Sequence, residues 1–144
     1  MTPPEITAET RLKTYLESYQ EAGEPLDGWA IVEGHSAAEK PVSFIAITGT
    51  NAGGELASAG IYEAEVKILV VSQGDDILLA SHTAAVEAVR GLLAGARIAS
   101  ILAAINDAAW ACSGLAYEGA TEARDETTNK HGTELAYRGW FANL

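Results

Sequence analysis

The 144 residues carry nine Lys and Arg against twenty Asp and Glu, a formal net charge of −11, with 48% hydrophobic and 20% charged side chains. That length fits one domain of roughly 100–200 residues, and the apolar content excludes an intrinsically disordered chain. The charge excludes a surface that grips nucleic acid through Lys and Arg, though not a protein that DNA merely passes.

The start, Met1-Thr2-Pro3-Pro4-Glu5, lacks the basic residues and apolar run of a signal peptide, and no stretch approaches the roughly 20 apolar residues of a membrane span. The expectation is a protein made and folded in a reducing cytoplasm, with no membrane partner. Cys112 stands alone, cannot form an internal disulfide, has no His or second Cys at zinc-ligand spacing, and reads as a small buried hydrophobe.

After the Pro pair, Leu12, Tyr15, Leu16 and Tyr19 mark one apolar stripe of a helix over Ala8–Ala22, stopped by Gly23 and Pro25. Trp29–Glu33 and Pro41–Thr48 are strand candidates, joined by a connection over Gly34–Lys40. Gly49–Gly60 is glycine-rich and unpatterned, and reads as a long flexible hairpin loop. Gly49 and Gly54 have phosphate-loop spacing, but Glu55 and Leu56 stand where Lys and a hydroxyl are needed, so a phosphate would meet a carboxylate.

In Ile61–Ser72, Tyr62, Ala64, Val66, Ile68 and Val70 alternate with Glu63, Glu65 and Lys67, the period of a strand with one buried and one wet face. From Leu69 both faces turn apolar, which predicts a far end buried on both sides. Gly74-Asp75-Asp76 turns the chain into a second helix reaching Leu93, with Asp75 as N-cap. His82 lies within that helix's apolar arc. Paired Asp with a nearby His could form an acid and base pair or a metal site; capping carboxylates and a packed, hydrogen-bonded histidine account for the same residues. Ser81 and His82, adjacent on one helix, do not make a nucleophile and base pair.

A third helix is predicted over Arg97–Ala109 from Ile98, Ile101, Leu102 and Ile105, forming an antiparallel or sharply angled pair with the second and ending at Trp110, Cys112 and Gly114. Leu115–Glu118 and Thr133–Phe141 read as a late hairpin, with Leu135, Tyr137 and Phe141 on one face and Glu134, Arg138 and Trp140 on the other. Their connection, Gly119–Gly132, is polar and is expected to project as a loop. His131 and Glu134 form a lone H-x-x-E, too few ligands for zinc. The predicted fold is one α+β domain over residues 1–144: a mostly antiparallel sheet of about five strands, with an N-terminal helix and a central helix pair packed on it.

The run Val66-Lys67-Ile68-Leu69-Val70-Val71-Ser72, then Asp75-Asp76, the helix with His82, Ala85-Val86 and Leu92-Leu93, and the late Gly114–Gly119 and Glu134–Tyr137 segments resemble the tail terminator and related neck proteins of long-tailed bacteriophages. The likeness lies in order, spacing and size over Glu63–Phe141, with the first helix in place before it. It implies a virion protein with no catalysis, cofactor or metal. Such a protein assembles as a six-membered ring that caps the tail tube, stops its growth and docks the head connector, while DNA passes the lumen unbound. Another neck component, a head-closure or tail-completion protein, shares these features. A small acidic enzyme using His82 or His131 is the reading from another class. On the ring reading, Gly53, Gly54, Glu55, Glu63, Glu65, Glu122, Asp125 and Glu126 are candidates for the lumen or for contacts with neighbours, and the Gly49–Gly60 and Gly119–Gly132 loops order on assembly. The same carboxylates also serve solubility.

Overall fold

The computed structural model describes residues 2–36, 40–53, 60–74 and 76–144, the side chains of residues 76–79 excepted. The elements run α1 (Pro4–Glu17), β1 (Ala30–Glu33), β2 (Phe44–Gly53), β3 (Ile61–Gln73), α2 (Asp76–Leu92), a 3₁₀ turn (Gly95–Arg97), α3 (Ile98–Ile105), β4 (Trp110–Asp125) and β5 (Lys130–Asn143). The strands form a single sheet in the order β1-β2-β3-β5-β4, in which β1 and β2 are parallel and every other pair is antiparallel. The fold is α+β.

Alternation along β3 divides the sheet. Ala64, Val66, Ile68 and Val70 are fully buried, and register places them beside Ile45 and Ile47 of β2 and Leu135 and Tyr137 of β5. All three helices contribute to this covered face, through Leu12 and Leu16 of α1, Ala85 and Val89 of α2, and Ile101 and Ile105 of α3. Glu63, Glu65, Lys67, Leu69 and Val71 point the other way, where none of the described helices lies, and are only partly buried. The expectation that β3 becomes buried on both faces from Leu69 onward does not hold. Leu69 and Val71 stay on the open face beside Ala46 and Phe44, which gives an apolar patch on the face that also carries Glu63, Glu65, Lys67 and Trp140.

α1 starts and stops earlier than its stripe predicts. Pro4 takes the first helical turn, where a missing N–H costs nothing. The helix ends where Ser18 Oγ donates back to the Tyr15 carbonyl at 2.6 Å and Leu26 N–H returns to the Tyr19 carbonyl at 3.0 Å. Tyr19 still packs on the core from this turn.

Gly49 is not part of a flexible loop, as its glycine-rich neighbourhood suggests. It is a buried residue of β2, and a Cβ there would stand 2.0 Å from the Glu5 carbonyl oxygen, so α1 rests its backbone directly on the strand. Beside it the Glu9 carboxylate, 1% exposed, accepts the Gly49 N–H at 2.9 Å and pairs with His35 Nδ1 at 2.6 Å. Glu9 thereby satisfies a donor of β2 that lies beyond the reach of the shorter β1.

The third helix is shorter than predicted. It stops at Ile105 because Asn106 turns extended and Asp107 Oδ1 accepts the N–H groups of Ala109 and Trp110, both at 2.8 Å. Trp110, Cys112 and Gly114 then begin β4 instead of ending the helix. α2 and the segment through α3 meet at a bend of 49°, so of the two expected arrangements the pair takes the sharply angled one and not the antiparallel one.

The largest correction concerns Gly119–Gly132. It is not a projecting loop: β4 runs to Asp125, β5 starts at Lys130, and a short turn with Asn129 at φ 53° joins them. The segment is polar because the far half of β4 is an edge strand whose residues from Ala120 to Asp125 are exposed on both faces. In the other glycine-rich segment, β2 extends to Gly53, and residues 54–59 lie outside the described residues.

Candidate functional site

The open face of the sheet carries an ion-pair lattice built by cross-strand register. Arg138 of β5 lies opposite Glu65 of β3, and its guanidinium donates from Nη1 to Glu63 Oε2 at 2.7 Å and from Nε to Glu118 Oε2 at 3.1 Å, with Nη2 3.8 Å from Glu65. Lys67 Nζ sits 3.3 Å from Glu65 and 3.5 Å from Glu134. Hydrogen bonding and attraction from these carboxylates hold the Arg138 and Lys67 pKa values above their ordinary positions. The four carboxylates outnumber the two cations, so the band stays negative. Solvent screens ion pairs at a surface, which makes the lattice a determinant of surface potential more than of stability.

The sequence candidates separate in space. Glu63 and Glu65 occupy this open face together. Asp125 terminates β4, accepts the N–H groups of Thr127 and Thr128 at 3.0 and 3.4 Å, and has its pKa lowered first by the Thr128 hydroxyl. Glu126 opens the turn that follows, fully outside the core. Glu122 pairs in register with Thr133 and lies on the covered-face side. Gly53, at φ 76°, follows a register irregularity after Asn51, whose Oδ1 accepts its N–H at 2.6 Å. Gly54, Glu55 and the proposed N-cap Asp75 lie outside the described residues.

On the covered-face side, Glu122 joins Arg124, His131, Thr133, Thr83 and His82 around an open hollow of about 240 Å³. His82, 5% exposed, is held through both ring nitrogens: Nδ1 meets Ser72 Oγ and Nε2 meets Thr133 Oγ1, each at 2.8 Å. It is thus the packed, hydrogen-bonded histidine of one sequence reading. Burial is the first cause that lowers its pKa from 6.5, followed by His131 at 6.2 Å between ring centres, with Glu122 opposing. A Ser–His contact invites a hydrolase reading. Ser72 and Thr133 are each 3% exposed, with their hydroxyls committed to the ring. No carboxylate hydrogen-bonds His82 among the described residues, so the contact lacks both an accessible nucleophile and an orienting acid. His131 and Glu134 occupy opposite faces of β5. Among the described residues no three His, Cys, Asp or Glu side chains are placed to hold a metal ion. Cys112 is buried, and burial raises its thiol pKa, which disfavours the reactive thiolate.

Two features escaped the sequence reading. The hydroxyl partners of His82 come from β3 and β5 and have no local signal. Arg138 as the clamp of Glu63 and Glu65 was accessible in principle: once β3 and β5 are paired antiparallel, opposite charges fall directly across from one another.

No family profile matches the chain and no curated protein is similar to it. Among solved structures, a chain from the virion of a native gene transfer agent particle is similar in fold, with a TM-score of 0.61 and 17% identity over 91% of this chain and 94% of that one.

Proposed function

We propose that this chain is a structural virion protein, a tail terminator that forms a six-membered ring on the end of a tail tube, stops tube growth and presents a docking surface to the head connector. The observation that carries the reading is the correspondence of fold along nearly the whole of both chains with a component of a gene transfer agent particle. The split between faces supports it. In a ring the helical layer needs the longer arc and belongs outside, which turns the open face with Glu63, Glu65, Glu118 and Glu134 toward the lumen. A wall with a carboxylate excess repels phosphate, so DNA slides without sticking. On this reading Glu63 and Glu65 face the lumen and Glu122 the outer, helix-bearing side.

Light scattering across a concentration series, with negative-stain imaging and a tail-tube binding assay, tests the reading. A ring with a central hole, or a ring recruited to tube ends, is the expected result. A chain that stays monomeric and binds no tube overturns it. Binding at the opposite end of the tail, or to the head alone, would assign the chain to another neck role.

A further inference from the structure

The sheet ends in two unlike edges. At one, β4 from Leu115 to Asp125 has no backbone partner other than β5 among the described residues. Its first residues are blunted, since Cys112 N–H donates to Asn106 Oδ1 at 2.7 Å, but beyond Leu115 only the irregularity between Tyr117 and Gly119 interrupts it. Sheets usually protect an edge of that length or fill it. Along the same flank Tyr117 is 44% exposed, with the Arg90 guanidinium 5.2 Å from its ring centre. Arg124 is exposed and has no carboxylate partner among the described residues; Glu122 lines the same hollow, and Asp125 and Glu126 follow it in the chain. At the other edge β1 is outermost, preceded by the 18–29 connection. There Asp27 is engaged by Gly23 N–H at 3.1 Å, whereas Glu21 and Glu24 are exposed and lack a cation partner among the described residues.

We infer that the free edge of β4 is filled by a second copy of this chain, which presents its opposite flank, β1 and the acidic 18–29 connection, so that Arg124 of one copy faces Glu21 and Glu24 of the next. Strand direction permits this. β1 and β2 run one way, β3 the other, β5 returns, and β4 runs opposite to β1, so copies standing the same way up meet as antiparallel strands. The two surfaces differ, so the contact is head to tail and closes only as a ring. Five strands spaced about 4.8 Å apart span about 24 Å, so six copies enclose a sheet roughly 46 Å across at its backbone. The inference rests on the ring reading and adds the contact that makes the ring.

The test is a charge exchange read by sedimentation and light scattering at concentrations where the wild-type chain assembles. R124E alone, and E21K/E24K alone, are each expected to weaken self-association by about tenfold or more, because like charges then meet across the contact. An equimolar mixture of the two variants is expected to recover assembly, since each altered edge finds its complement. All three positions are exposed, and unchanged melting of each variant separates lost assembly from lost folding. If both variants assemble as the wild type does, or the mixture fails to recover, the edge contact is overturned while a wild-type ring still upholds the ring reading. A wild-type chain that is monomeric up to its solubility limit overturns the contact as well, and tube binding then decides the ring reading separately.

Discussion

Replacing Gly49 with Ala asks how closely α1 is pressed to the sheet. The added Cβ would lie 2.0 Å from the Glu5 carbonyl oxygen, 2.8 Å from its carbon and 3.4 Å from its Cα. All three are backbone atoms, so no rotamer change relieves the clash and the first turns of α1 must lift by roughly an ångström. That loosens the seat of Ala8 and Leu12, both fully buried, and stretches the 2.9 Å hydrogen bond from Gly49 N–H to the buried Glu9 carboxylate. Overpacking costs about 1–3 kcal/mol and a weakened hydrogen bond to a charged group about 1.5–3 kcal/mol, so a loss near 3–5 kcal/mol is expected. For a chain of this size the fall in Tm is roughly 10–15 °C, measured by calorimetry. Gly91→Ala in α2 is the control. A Cβ there meets nothing within 4 Å, so better helix propensity and a less mobile unfolded chain stabilise by about 0.5–1 kcal/mol. A Gly49→Ala chain melting within about 3 °C of wild type would refute the close-approach reasoning.

Three further outcomes follow from the two faces. His82 keeps its proton off in the folded chain below the pH at which the unfolded chain gains one. Its contribution is therefore complete above 6.5 and is lost as pH falls from 6.5 toward the lowered folded value. Urea midpoints across that window should fall more steeply for wild type than for His82→Gln, and equal slopes would refute the assignment. Ile68→Lys buries a charge among fully buried residues and should leave no cooperative melt, whereas Glu65→Lys on the open face should shift stability by no more than about 0.5 kcal/mol and, on the proposed ring reading, alter assembly or DNA passage. Arg138→Met leaves Glu63, Glu65 and Glu118 facing one another, so its melting temperature should drop at low salt and recover as salt is raised. A loss independent of salt would mean that Arg138 acts through packing.

The sheet was legible where burial is one-sided. Alternation in β3 and the faces of Leu135, Tyr137 and Phe141 followed from the sequence because a period of two has one cause there. Near Gly119–Gly132 the same logic failed: an edge strand wet on both faces has no apolar half, and its charges imitate a loop. Gly49 is hidden in the sequence for a related reason, since a glycine needed for close approach looks, without its neighbour in space, like one needed for freedom. Around His82 the apolar arc was visible in the helix, but Ser72 and Thr133 become its partners only through tertiary pairing.

The position of β5 has a consequence for synthesis. It follows every other described strand in the chain, yet it lies between β3 and β4, so β4 has no neighbour in the sheet until β5 has been made. Until β5 is available β4 is unpaired and β3 lacks one of its two lateral neighbours, a state with open strand edges that is prone to aggregation. Completion of the sheet thus waits for β5, and any truncation that removes β5 takes the ordered state of β4 with it.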